Sequence, residues 1–336
     1  MDSTRTLLVP IDGSDFSAYS VDFALRLAKR SEAAVLFCHS VDLTGAIASC
    51  SNPYGSTDVA PILAALEDDC KALLSEALAR ASGLAIAATA VELSGSPVGA
   101  ILDALRARRV DAIVLGTHGR SGVSRFFLGS TAEGVLRRSD VPVFVVSQRS
   151  AVDAASGAAF SRIVVAVDDS DPSDAALDAA MDLADPGTTT MVLVHVVNVR
   201  ETYALAASQR YAATAAIEEE RQAAEALLAT AAERVRARGI TAVTTVLEGE
   251  PAESLLDVAR AQQADLVAIG THGRRGIRRL LIGSVAEGVV RACPVPTLVV
   301  RRRVQAVATN PPGVGAPLES ATRAPHADAP RETVLS

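Results

Sequence analysis

Leu115-Gly-Thr-His-Gly-Arg-Ser-Gly122 returns 154 residues later as Ile269-Gly-Thr-His-Gly-Arg-Arg-Gly276, and this repetition governs how the 336-residue chain is read. Other stretches keep the spacing: Leu128-Gly129-Ser130 with Ile282-Gly283-Ser284, Ala132-Glu133-Gly134-Val135 with Ala286-Glu287-Gly288-Val289, and Gly95-Ser96-Pro97 with Gly249-Glu250-Pro251. Asp12 and Asp168, like His39 and His195, match at 156 residues, so a two-residue length difference falls in the loosely matched middle. The period is the size of a whole domain, far longer than a solenoid repeat, and indicates duplication and fusion. Residues 1–147 are therefore expected to form one domain and 160–303 a second, with the Ala/Ser/Gly-rich stretch 148–159 as linker. Residues 304–336, rich in Pro, Ala and Thr without periodicity, are expected to be a flexible tail.

Length agrees with duplication, because a chain of this size exceeds what one hydrophobic core usually serves; two cores are expected. With 49% apolar and 21% charged residues the composition is that of an ordinary globular protein. No apolar run reaches the ~18 residues of a membrane span, and the first residues lack the basic start and apolar stretch of a secretory signal. The expectation is a cytoplasmic protein with no membrane partner. A net charge of −7 opposes general binding to nucleic acid while leaving room for local basic patches. Cys38, Cys50, Cys70 and Cys293 have no paired spacing, so buried free thiols are expected rather than disulfides or a zinc site.

Within each copy, short apolar runs alternate with amphipathic stretches. Thr6–Ile11, Ala34–His39, Ala85–Leu93, Ala112–Leu115 and Val143–Val146 read as strands, mirrored by Ile163–Val167, Met191–Val197, Ala242–Leu247, Leu266–Ile269 and Thr297–Val300. Helical segments lie between them, near Ser17–Lys29, Ala60–Ala81, Val98–Arg108 and Thr131–Arg137. This βαβα alternation predicts an α/β fold: two tandem Rossmann-like domains, each a five-stranded parallel sheet with helices on both faces. Such sheets bind ligands beyond the carboxyl ends of their strands, where the strand order reverses. The unusual residues fall at those ends: Asp12 and Asp168 after the first strand, His39 and His195 after the second, Gly116 and Gly270 after the fourth.

The loop after the fourth strand carries Gly116, His118, Gly119, Arg120 and Gly122, then Gly129, Ser130 and Thr131 at the start of a helix. Its counterpart carries Gly270, His272, Gly273, Arg274 and Gly276, then Gly283, Ser284 and Val285. Glycines let backbone amides approach a phosphate, and a helix start adds unpaired N–H groups at the positive end of its dipole. Arginines suit phosphate geometry, and Arg125, Arg275, Arg278 and Arg279 add to those in the loops. Ser130-x-x-Glu133 and Ser284-x-x-Glu287 also fit capping boxes, so the serines read either as caps or as phosphate contacts. Asp12 and Asp168 each precede a helix and read as N-caps or ligand contacts alike. The four repeat-matched histidines have no metal-ligand companions; strand-end packing is expected for His39 and His195, and a loop-shaping hydrogen bond for His118 and His272.

The pattern of Gly, two residues, Gly, nine residues, then Gly-Ser resembles the ATP-binding branch of the universal stress protein family. Gly116, Gly119, Gly129 and Ser130 meet it in the first copy, and Gly270, Gly273, Gly283 and Ser284 in the second. The resemblance implies a strand order of 3-2-1-4-5, with adenine gripped by Pro10, Asp12 and the Ser40 backbone, and by Ala166, Asp168 and the Val196 backbone. Ala166 stands where the first copy has Pro10, so base recognition in the second copy departs from the pattern. The function it implies is an ATP-binding regulator of a stress response, whose nucleotide, ATP with Mg²⁺ admissible through its phosphates, alters binding to a regulatory protein partner. The alternative is a slow ATPase or nucleotide-transfer enzyme, which the sequence leaves without an evident base, a P-loop or a G-x-G-x-x-G fingerprint. No catalytic or metal-ligating residue is assigned. The copies are expected to pack as an intrachain pseudo-dimer, through the fifth strands whose edges would otherwise be exposed. A homodimer of chains is left open.

Overall fold

The computed structural model describes residues 4–42, 60–117, 128–147, 160–208, 213–271, 282–301 and 334–335. The first copy runs β1 (Thr6–Pro10), α1 (Asp15–Ser31), β2 (Ala34–Val41), α2 (Ala60–Gly83), β3 (Ala88–Ser94), α3 (Pro97–Ala107), β4 (Ala112–Gly116), α4 (Ser130–Arg138) and β5 (Val143–Val146). The second runs β6 (Arg162–Ala166), α5 (Asp171–Leu183), β7 (Thr190–Val197), α6 (Val199–Ser208), α7 (Ala213–Arg236), β8 (Thr241–Glu248), α8 (Pro251–Ala261), β9 (Leu266–Gly270), α9 (Ser284–Ala292) and β10 (Thr297–Val300). A two-residue strand, β11 (Val334–Leu335), follows.

All strands join one sheet in the order β11-β3-β2-β1-β4-β5-β10-β9-β6-β7-β8. Each copy is thus parallel in the order 3-2-1-4-5, and the two meet where β5 pairs antiparallel with β10, Phe144 opposite Leu298. The edges of the two fifth strands close on each other, as the reading of the sequence anticipates. β11 was not foreseen: it pairs antiparallel with β3, Val334 opposite Val91 and Leu335 opposite Ala90. An edge strand offers a row of unpaired amides and carbonyls, which gives even a short apolar segment hydrogen-bond partners.

Alternating side chains of each strand enter different layers because both faces of the sheet are covered. Leu7 and Val9 pack toward α1 and α2 while Leu8, between them, packs with residues of α3 and α4; Ile163, Val165 and Val164 repeat the division in the second copy. Each of the two clusters crosses β5 and β10 and holds residues of both copies. The two expected cores are therefore divided by sheet face rather than by repeat, because pairing β5 with β10 makes each face continuous. Phe23 of α1 bridges the copies, its ring 5.5 Å from Phe144 and 6.4 Å from Phe160. Arg30, in the last turn of α1, stacks over Phe160, donates to the Leu183 carbonyl at 2.5 Å and pairs with Asp185 at 2.8 Å.

Two boundaries differ from the sequence reading for local reasons. β3 begins at Ala88, not Ala85, because Ala85 takes a positive φ of 56° in the turn leaving α2. α1 begins at Asp15, two residues before the expected start, because Ser14 accepts from the Ser17 amide and fixes the helix end there.

Candidate functional site

At the end of β1, the Asp12 carboxylate accepts from the Ser14 amide at 3.0 Å and the Ser14 hydroxyl at 2.6 Å, and Ser14 caps α1. In the second copy Asp168 accepts from the hydroxyl of Ser170, which caps α5. Neither aspartate is the N-cap that the sequence allows; each orients the serine that is. His39 Nδ1 lies 2.6 Å from the Ile11 carbonyl and His195 Nδ1 lies 2.7 Å from that of Val167. A carbonyl only accepts, so Nδ1 carries the proton in both rings, and each imidazole ties the end of the second strand to the loop bearing the aspartate. This agrees with a packing role at the strand ends.

The glycine loop is strapped at its base in both copies. Thr117 donates to Val146 at 3.0 Å and Gly129 to Thr117 at 2.8 Å; Thr271 donates to Val300 at 2.9 Å and Gly283 to Thr271 at 2.7 Å. The straps bring the fourth strand's end against the start of the following helix. Gly116 is also required by packing, since a Cβ there would stand 2.8 Å from the Phe16 carbonyl oxygen; at Gly270 it would stand 2.7 Å from the Pro172 carbonyl carbon. The first glycine of each motif lets the N-terminus of α1 or α5 approach the strand, whatever the loop holds. His118, Gly119, Arg120, Gly122, His272, Gly273, Arg274 and Gly276, with Arg125, Arg275, Arg278 and Arg279, lie outside the described residues.

The capping boxes do not form. α4 starts at Ser130 and α9 at Ser284, with Gly129 and Gly283 as N-caps and no side-chain cap hydrogen bond. Glu133 and Glu287, which would complete the boxes, pair instead with Arg137 and Arg291 one turn on. A helix otherwise has its first N–H groups satisfied by such caps. In each copy the helix after β1 is capped by serine, whereas the helix after the glycine loop, like α3 and α8, has no side-chain cap.

In the second copy these features converge on a cavity of about 420 Å³ lined by Ala166, Asp168, Val196, Gly270, Gly283, Ser284 and Val285, within the range of small-molecule sites. Seven residues singled out from the sequence thus line one cavity. Their counterparts Pro10, Asp12, Ser40, Gly116, Gly129, Ser130 and Thr131 stand at the same ends of β1, β2, β4 and α4. The sequence reading missed Ser173, Asn198, Glu220 and Glu250, which also line the cavity. Glu250 was within reach, since Gly249-Glu250-Pro251 repeats Gly95-Ser96-Pro97. Glu220 comes from α7, where it accepts from Thr202 of α6 at 2.6 Å, and no motif announces it. Among the described residues no group of three or more His, Cys, Asp and Glu could hold a metal ion, and no helix is long and apolar enough to cross a membrane.

The profile described as "Universal stress protein family" matches twice, over residues 3–147 and 159–301. A universal stress protein of Mycolicibacterium smegmatis is 27% identical over 308 residues, covering 88% of this chain and 97% of the relative. One from Methanocaldococcus jannaschii is 33% identical over 144 residues, covering 43% of this chain and 83% of the relative. Among solved structures, a universal stress protein from Archaeoglobus fulgidus superposes with a TM-score of 0.64 at 22% identity, covering 89% of this chain and 97% of that one, a likeness of fold. With both repeats matched and the tandem α/β architecture shared, the chain belongs to the universal stress protein family.

Proposed function

We propose that each copy binds an adenine nucleotide, ATP by preference, and that occupancy changes how the chain engages a regulatory protein partner in a cytoplasmic stress response. The observation that carries this reading is the uncapped start of α4 and α9, set behind a strapped glycine loop and, in the second copy, opening on the cavity. Unpaired amides at a helix start, together with its dipole, favour an anion. The amides near Gly129–Thr131 and Gly283–Val285 would hold the phosphates, helped by Gly119, Arg120, Gly122, Gly273, Arg274 and Gly276. Pro10, Asp12 and Ser40, with Ala166, Asp168 and Val196, would hold the base, and Mg²⁺ would enter with the phosphates. A bound nucleotide supplies charge and recognition surface; the chain's own residues orient it and limit water around it. Binding, not turnover, is the output.

The test is calorimetric titration of the full chain with ATP, with Ser130→Glu and Ser284→Glu as variants. A carboxylate in the first turn favours the helix while competing with phosphate, so folding is kept and binding is not. Two ATP per wild-type chain, one in each single variant and none in the double variant are expected. A folded wild-type chain that takes up no nucleotide, or variants that bind as it does, would sink the proposal.

A further inference from the structure

The sheet ends differently on its two sides. The edge of the first copy, β3, is covered by β11, and β5 and β10 cover each other, but among the described residues the order stops at β8. β8 runs eight residues in unbroken register with β7, from Thr190 opposite Thr241 to Val197 opposite Glu248, so no bulge twists its edge away. Thr-Ala-Val-Thr-Thr-Val-Leu, Thr241–Leu247, carries no charge and no proline, and Val243 is 46% exposed. Proteins usually blunt such an edge with a charge, a proline or a bulge, because a long flat strand rich in β-branched residues pairs with other chains.

The free polar groups of β8 can be assigned. The Gly249 amide bonds to Val197 on the β7 side, so odd-numbered residues direct their backbone groups inward and even-numbered ones outward. Arg236 accordingly reaches the Ala242 carbonyl from outside, at 3.1 Å. The outward set is therefore Ala242, Thr244, Val246 and Glu248. In β3 the amide of Gly95 bonds inward to Val41 in the same way, and Ala90, an outward residue, is the one that receives Leu335. Edges of this sheet that are covered are covered antiparallel.

We propose that β8 is the docking edge for a second copy of this chain, which sets its own β8 antiparallel about a two-fold axis at Thr245 and continues the sheet through both molecules. This register places Thr244 opposite the partner's Val246 and Ala242 opposite the partner's Glu248, pairing outward groups with outward groups. It brings the partner's Glu248 to the place where Arg236 now covers the Ala242 carbonyl, so an opposite-charge contact forms on each side of the axis. Val243 meets the partner's Leu247 across the strands on each side of the axis, so the exposed valine of each copy is covered.

Sedimentation of the full chain across the micromolar range tests this. The wild type is expected to run as a dimer. Thr244→Pro removes an outward N–H while leaving every bond to β7, and Val243→Lys places a charge on the apolar pair; each is expected to weaken dimerisation by about 100-fold, with its melting temperature kept. Should the proline variant fail to fold, the lysine variant decides. Removing residues 304–336 is expected to leave the dimer intact. A monomeric wild type, a dimer indifferent to the β8 substitutions, or one lost with the C-terminal segment while β8 is unchanged would each overturn the proposal.

Discussion

The two copies share their backbone devices and differ in the side chains around them. Both have the histidine-to-carbonyl tie, the aspartate-oriented serine cap, the strap between the fourth strand and the glycine, and the uncapped helix behind the loop. At four positions lining the second copy's cavity, Ala166, Val196, Glu250 and Val285 stand where the first copy has Pro10, Ser40, Ser96 and Thr131. A phosphate cradle made of amides tolerates sequence change because every residue but proline supplies an N–H. Side-chain contacts do not share that tolerance, so the duplication keeps the backbone devices and varies the side chains around them.

That comparison can be broken at the close approach common to both copies. Gly116→Ala and Gly270→Ala each drive a Cβ into backbone within 3.0 Å, and a loss of about 3 kcal/mol is expected from such overpacking. Gly270→Ala should be the worse, since the two backbone atoms nearest its Cβ stand at 2.7 and 2.8 Å against 2.8 and 3.0 Å at Gly116, whereas Gly83→Ala, with nothing within 4 Å, should be neutral. Chemical denaturation ranks the three; a tolerated Gly270→Ala would show that the motif glycine is there for the ligand alone.

Alkaline pH should separate the copies next. Burial pushes the thiols of Cys38 and Cys70, both in the first copy, up to about 12, and raises the single described thiol of the second copy, Cys293, as well, so the first copy carries two such groups to the second's one. An unfolded chain ionises these groups near pH 9 and the folded one does not, so their contribution is intact below that pH and is lost as pH rises toward 12. About 1.4 kcal/mol per thiol should be gone by pH 10. Hydrogen exchange resolved by copy, with Cys38→Ala and Cys70→Ala as comparisons, should show the first copy opening earlier in the wild type only.

Replacing His195 by Phe removes a 2.7 Å bond within a buried site and leaves the Val167 carbonyl unpaired, for an expected cost of about 2 kcal/mol. His39→Phe should cost less, because His39 is only half-buried and water can replace the donor. Equal melting shifts would remove this difference between the copies. The smallest effect is expected at their junction: Arg30→Ala loses a partly exposed ion pair and its stacking on Phe160, about 1 kcal/mol, read as a small shift in melting temperature.

Much of this was legible in the chain itself. The repeat, the βαβ alternation and the glycine spacing are local or periodic signals, and they set the fold class and put the candidate residues at strand ends. Asp12, Gly129 and Ser130 were visible because chain direction alone puts them beyond β1 and at the start of α4. Their partners were not: the helix begins at Ser130 itself with Gly129 as N-cap, and Glu133 turns to Arg137, so the box that the capping pattern allows does not form.

What the sequence determined by itself is therefore what hydrophobic period, turn residues and duplication dictate over a few residues at a time: two copies of a parallel α/β unit with a glycine loop before a helix. Only the tertiary structure decided the antiparallel register in which β5 meets β10, that each layer of the core runs through both copies, that Glu220 of α7 lines the cavity, and that among the described residues β3 is covered while β8 is not. These rest on contacts between residues far apart in the chain, fixed by strand register and by the direction each side chain takes from its strand or helix. No local pattern carries that information, because the same apolar strand satisfies its period equally well beside several different neighbours.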